Sequence, residues 1–350
     1  MYSGRSRKMQ FDESEFAKIF EEMVQIDEFS GVVLVTKNSK IVFERAYGFA
    51  DKRFNVSNQM NTKFNIGSLN KLITRIAILQ LHQKDLLDFD DLVGKHLPEF
   101  PEAIASKVKI KHLLEFTSGM GDYFNDKFEA SLGKLRTIDD FIPFFIDDEL
   151  TFEPGERFQY SNAGYVVLGK IIESITGRDY YDYVRENIYA PAGMNDTDHF
   201  EVDSITPNLA TGYTHYMPDE SFDSTKRRCN YFIIGSRGSP AGGGYSTAFD
   251  LLRLDQAITS ETLLDHEHSQ LVFRPLDAPP ESKAKSVGLA GGAPGLNALY
   301  LKYFESDYTV IILSNYDPEV VEPIAEKIRD IFTPGGNKGK IVKLGEEHQR

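Results

Sequence analysis

Hydrophobic positions along the chain change period several times, and each change marks an element. Residues 13–29 carry Phe16, Ile19, Phe20, Met23, Val24 and Ile26 at helical spacing, which predicts an amphipathic helix with those side chains inward. Gly31-Val32-Val33-Leu34-Val35-Thr36-Lys37 is a β-branched run, Asn38-Ser39-Lys40 turns it, and residues 41–47 return as the second strand of a hairpin. A polar loop over residues 51–63 follows. Leu69, Leu72, Ile73, Ile76, Leu79 and Gln80 then share a helix face, and Ala77, Ile78 and Leu81 make the other side apolar. That pattern predicts a helix buried nearly all round.

From residue 87 to about 188 the signals are mostly helical. A short helix is expected over residues 108–116, then a turn over 117–122. Thr137 with Asp140 reads as the cap of a helix running toward Asp148. Residues 163–176 carry Val166, Val167, Ile171 and Ile175, with Gly177 as the stop, and residues 179–189 continue helical until Pro191. Thr247 with Asp250 caps a helix bearing Leu251, Leu252 and Leu254. Strands over 297–304 and 308–314 are joined at 305–307, and a last helix over 319–332 places Val320, Ile324, Ile328 and Ile331 on one face. The order predicts an α+β fold: one antiparallel sheet built from both chain ends, flanked by helices, with a mostly helical region inserted between them. The expected division is a discontinuous sheet domain over 12–66 and 230–332, a helical region over 67–229 and a flexible tail over 333–350.

Composition narrows the function classes. With 350 residues and 41% apolar content there is enough material for a sizeable core. A net charge of −14 argues against a nucleic-acid partner and leaves no polybasic membrane anchor. No apolar run is long enough for a spanning segment. The basic stretch Met1-Tyr2-Ser3-Gly4-Arg5-Ser6-Arg7-Lys8 is followed by no apolar run, so a cytoplasmic chain is expected unless a leader has been removed. The single cysteine, Cys229, excludes an internal disulfide and a multi-cysteine metal site. The Gly-rich stretch 239–247 lacks the G-K-[ST] ending of a phosphate loop, so nucleotide binding is rejected. His266 and His268, two apart in a helical or loop setting without further ligands, do not make a metal site. No metal or organic cofactor is expected, and the expected partner is a small-molecule or peptide substrate.

Two polar groups at the start of the buried helix stand out. Ser68 and Lys71 are three residues apart and share one face. Burial and the positive helix end both lower a lysine pKa, and a neutral amine can take a hydroxyl proton. Ser-x-x-Lys alone is a short pattern, and Ser is also a common helix cap.

Further segments carry a resemblance. Phe64-Asn65-Ile66-Gly67-Ser68-Leu69-Asn70-Lys71, the turn 114–123, Phe152-Glu153-Pro154-Gly155 leading to Tyr160-Ser161-Asn162, the loop 241–247 and Gly291-Gly292-Ala293-Pro294-Gly295 occur in one order over residues 15–332. Together they resemble the serine β-lactamase and penicillin-binding protein superfamily of bacterial proteins, in its class C-like branch with DD-peptidases and esterases. The resemblance implies a β-lactamase/transpeptidase-like fold and a serine acyl hydrolase. It implies Ser68 as nucleophile, Lys71 as its base and Tyr160 as a proton relay near both. Asn162 would orient Lys71 or hold a substrate amide, and as a bare residue type it also reads as a helix cap ahead of Ala163. The backbone N–H groups of Ser68 and Gly292 would form the oxyanion hole, with glycine at 292 allowing close approach.

One position departs from the family pattern. The third motif opens with Lys or His, whereas here the matching stretch is Leu289-Ala290-Gly291. Leucine cannot attract a carboxylate, so substrates without one are expected to suit the pocket. The Pro-containing segment 276–285 ahead of it predicts an altered sheet edge. The alternative left open is an impaired relative that binds a peptide or cell-wall fragment without turnover.

Overall fold

Strands from both chain ends meet in one sheet. The structure, a computed structural model, describes residues 11–219, 221–279, 284–318 and 321–332. The principal elements in chain order are α1 (Glu13–Gln25), β1 (Gly31–Lys37), β2 (Lys40–Tyr47), α2 (Asn70–Gln83), α3 (Asn162–Thr176), α4 (Ala248–Thr259), β3 (Ser286–Ala293), β4 (Leu296–Tyr303), β5 (Tyr308–Ser314) and α5 (Val321–Phe332). The sheet has five strands in the order β2-β1-β5-β4-β3, and every pair is antiparallel. Gly31 pairs with Ser314 and Ser314 with Asn297, which registers the first hairpin against the last.

The period-2 alternation of the strands assigns each face to its own core. Val33, Val35, Leu301 and Ile312 pack with Phe16 and Phe20 of α1 and Ile324, Ile328 and Phe332 of α5. Val32, Leu34, Leu289, Tyr300 and Leu313 face the other way, into the large core that holds α2 and α3. Helix α2 is buried from Asn70 through Leu81, as its all-round apolar pattern predicts. Two of its inward polar groups find backbone partners: Thr74 Oγ1 donates to Pro240 O at 2.7 Å, and Gln80 Nε2 to Asn187 O at 2.9 Å.

Several expectations are corrected. Helix α1 stops at Gln25, and Ile26 is 69% exposed rather than inward. The short helix after residue 108 spans only Ile110–Leu114. Thr137 and Asp140 do cap a turn, but the helix toward Asp148 is two 3₁₀ turns, Ile138–Asp140 and Ile142–Phe144. Pro143 lacks the N–H a continuing helix needs. The helical run from Tyr180 passes Pro191 and ends at Ala192; Pro191 lies in the first turn of its last segment, where a missing N–H costs little. The strand β3 was not expected at all. It pairs with β4 without a break from Ser286↔Tyr303 to Ala293↔Leu296; residues 280–283 of the segment ahead of it lie outside the described residues. Val320 and the tail 333–350 lie outside the described residues.

Candidate active site

The turn that carries Ser68 is held before α2 begins. Phe64–Asn65 pairs with Tyr245–Ser246, and Ile66 N donates to Gly244 O at 2.9 Å. Asn65 Oδ1 accepts from Gly67 N at 2.9 Å, and Gly67 sits at φ +48°, which glycine adopts without strain. A 3₁₀ turn over Gly67–Leu69 then carries Ser68 into α2. Ser68 remains partly exposed while Lys71, one turn on, is fully buried.

Four of the expected side chains converge here. Ser68 Oγ lies 2.7 Å from Tyr160 OH and 3.2 Å from Lys71 Nζ. Lys71 Nζ donates at 2.6 Å to Asn162 Oδ1 and at 2.6 Å to the Ala241 carbonyl. Those two acceptors use both N–H groups of a neutral amine, leaving its lone pair for the Ser68 hydroxyl proton. Lys71 Nζ also lies 4.7 Å from the centroid of the Tyr160 ring and 5.6 Å from that of Tyr165. Tyr160 is held by its ring, stacked on Phe116 at 4.9 Å. The cap of α3 is Ser161, whose Oγ accepts from Gly164 N; Asn162 is the first helical residue, and its amide is free for the site. The expected cap role of Asn162 is thereby corrected.

Burial sets the proton inventory. Desolvation pulls the Lys71 ammonium down to about 7, against the opposing field of Asp122. Desolvation pushes the Tyr160 phenol up to about 12, only partly offset by its Ser68 hydrogen bond. Near neutral pH the amine therefore exchanges its proton and the phenol keeps its own.

Strand β3 closes the site from the other side. A Cβ on Gly67 would stand 3.0 Å from Gly292 N, and one on Gly291 would stand 2.7 Å from Ser68 N and 2.1 Å from Ile66 O. The amides of Ser68 and Gly292 thus lie at one junction of turn and strand. Gly292 is exposed, but its Cβ direction is occupied by Pro318 at 2.9 Å, so Gly291, not Gly292, is the glycine that the close approach of the Ser68 turn requires. Leu289, opposite Tyr300, is 4% exposed and belongs to the large core on the α2 face.

Two contributors had no signal in their own residue type. The Ala241 carbonyl is backbone, and it is aimed at Lys71 because Asn70 Nδ2 and Thr74 Oγ1 hold the preceding Ser239 and Pro240 carbonyls on α2. Asp122 reads in sequence as part of a turn, yet its Oδ2 accepts from Asn162 Nδ2 at 2.6 Å. A fully buried lysine demands acceptors, and that demand was the available clue. Elsewhere, Ser118 Oγ accepts from Met120 N within its turn. His266 and His268 lie on the helix His266–Leu271, where His268 contacts His82 at 2.9 Å and Asp265 at 2.8 Å. Among the described residues no helix is long and apolar enough to cross a membrane.

Comparison with known proteins places this geometry in context. A family profile described as Beta-lactamase matches residues 16–331. Penicillin-binding protein 4* of Bacillus subtilis (strain 168) is 30% identical over 333 residues, covering 86% of this chain and 71% of that protein. The crystal structure of a penicillin-binding protein from Bacillus halodurans superposes with a TM-score of 0.78 at 29% identity, covering 89% of this chain and 99% of that one. A D-amino acid amidase from Ochrobactrum anthropi SV3 superposes with a TM-score of 0.72 over 91% of this chain and 99% of its own; at 21% identity it shows the fold alone. The fold is of the β-lactamase/transpeptidase type, α+β with an antiparallel sheet and flanking helices.

Proposed function

The chain belongs to the Beta-lactamase family, whose members include serine hydrolases, and from that premise we propose that it is a serine acyl hydrolase working through a covalent acyl-enzyme at Ser68. The observation that carries this reading is the pairing of a fully buried Lys71, drawn down to about 7, with the Ser68 hydroxyl at 3.2 Å. Lys71 takes the hydroxyl proton as Ser68 Oγ adds to the substrate carbonyl. The oxyanion is met by the Ser68 and Gly292 amides. Tyr160, as a neutral phenol, passes a proton to the leaving group and regains one from the Lys71 ammonium. Water then adds to the acyl carbon, its proton returns through the same groups, and the acid leaves with Ser68 restored. These steps use the chain's own groups alone.

Substrates without a carboxylate fit this site best, because Leu289 stands in the apolar core where the family pattern has Lys or His. An uncharged ester or amide, small or peptidic, is the proposed class. The test is hydrolysis of p-nitrophenyl acetate by the wild type and Ser68→Ala, beside an ester pair differing only by a carboxylate. Turnover confined to the wild type and faster on the uncharged ester supports the reading. Equal rates on the pair would remove the substrate preference, and no turnover in folded wild type would favour a binding protein.

A further inference from the structure

Asp122 lies in the turn after Ser118-Gly119, outside every element that bears the nucleophile, yet it reaches the site through one side chain. Its Oδ1 accepts from Tyr123 N at 2.8 Å and its Oδ2 from Asn162 Nδ2 at 2.6 Å. Asn162 in turn presents Oδ1 to Lys71 Nζ at 2.6 Å. A primary amide donates at one end and accepts at the other, whereas an ionised carboxylate only accepts. A carboxylate at 122 therefore dictates the amide's direction: the NH₂ turns to Asp122 and the carbonyl to Lys71. The reverse orientation would set an NH₂ against the lysine N–H groups and an oxygen against the carboxylate.

We propose that Asp122 is a positioning residue for this site, fixing the direction of the Asn162 amide and acting through it on Lys71. The inference rests on the hydrolase reading above only for its catalytic consequence; the contacts stand without it. The groups facing Lys71 are Ser68, Tyr160, Asn162, the Ala241 carbonyl and the Tyr165 ring, all uncharged near neutral pH, so Asp122 supplies the charge. Around Asp122 itself stand the Asn162 amide and the phenols of Tyr123 and Tyr160; burial pushes both phenols and the Asp122 carboxyl upward, while the hydrogen bonds from Asn162 and Tyr123 N and the field of Lys71 pull that carboxyl back down. Burial alone would weaken the amine further as a base. A carboxylate across the amide favours the ammonium and restores part of that basicity.

The two parts of the role separate by substitution. Asp122→Asn keeps an acceptor for Asn162 and removes the charge; Asp122→Ala removes both. The first readout is the Lys71 titration followed by NMR on protein labelled with [¹⁵N]lysine, assigned with Lys71→Met, which needs no turnover. The second is the pH dependence of kcat/KM on p-nitrophenyl acetate. In Asp122→Asn the Lys71 midpoint and the acid limb are expected to fall together by about one pH unit, the scale of a single nearby charge. The plateau is expected to stay within about tenfold. Asp122→Ala is expected to lower the plateau by about 100-fold, the cost of a displaced catalytic group, and to add little to Asn162→Ala. An unmoved Lys71 midpoint in folded Asp122→Asn would overturn the proposal. If the wild type proves inactive, the hydrolase reading fails, while the NMR titration still decides the role of Asp122.

Discussion

Gly291 lies so close to Ser68 that a Cβ on it would stand 2.7 Å from the Ser68 amide nitrogen. The same Cβ would meet Ile66 O at 2.1 Å, and Ile66 cannot retreat freely because its N–H is bonded to Gly244 O. Gly291→Ala must therefore push β3 away from the nucleophile turn. We expect ester turnover to fall by at least about 100-fold and the melting temperature to drop. Gly133→Ala, which would meet nothing within 4 Å, is the matched control and should change neither. Steady-state kinetics and thermal melts of both variants check this.

Activity should rise with pH through the Lys71 transition. The amine is the base only when neutral, so the log of kcat/KM climbs below about 7 and levels above it. Tyr160 stays a phenol up to about 12 and contributes no alkaline limb at ordinary pH. Tyr160→Phe removes the relay but not the base, so the rate falls by about 10²–10⁴-fold while the acid limb stays in place. A limb that moved with Tyr160 instead would assign the base to the phenol.

Burying Lys71 costs stability, and the sign follows from its lowered pKa. Between about 7 in the folded chain and the ordinary 10.5, the unfolded state binds the extra proton, so stability rises with pH across that window. Below about 7 the penalty is fully present, and each tenfold weakening of proton binding in the folded chain is worth about 1.4 kcal/mol. Lys71→Met should therefore abolish activity yet melt higher than the wild type at pH 7, with the gap narrowing toward pH 10. Melting curves of the two proteins over this range test it.

Leu289 is packed into the core, so its first duty is structural. Leu289→Ala is expected to cost about 2–5 kcal/mol in denaturant unfolding, the range for a buried leucine. Turnover of the uncharged ester at a temperature well below the melt should change less than tenfold. A large kinetic loss without a stability loss would make Leu289 a substrate contact instead.

The parts of this architecture that were legible in the sequence are those where packing alone chose the residues. The β-branched runs of β1 and β5 and the all-round apolar helix α2 announce themselves through period and composition. Strand β3 does not, because Gly288, Gly291 and Gly292 give it the composition of a loop. At Gly291 the reason is the close approach of the nucleophile turn, so function erased the strand signal. The helix toward Asp148 failed for the opposite reason: Thr137 and Asp140 start a turn that Pro143 cannot propagate. At the site, Ser68, Lys71, Tyr160 and Asn162 were found through motif order, and the structure brings them together. The Ala241 carbonyl stayed hidden because a backbone acceptor has no residue type. Asp122 stayed hidden because a turn explains an aspartate well enough until its partner Asn162 is seen.

The most direct test of the central claim is the intact mass of the protein after exposure to a fluorophosphonate probe, with Ser68→Ala alongside. The account predicts one phosphonyl adduct on the wild type, forming faster as pH rises through about 7, and none on Ser68→Ala. An adduct of equal extent on folded Ser68→Ala, or none on folded wild type at any pH, would contradict it.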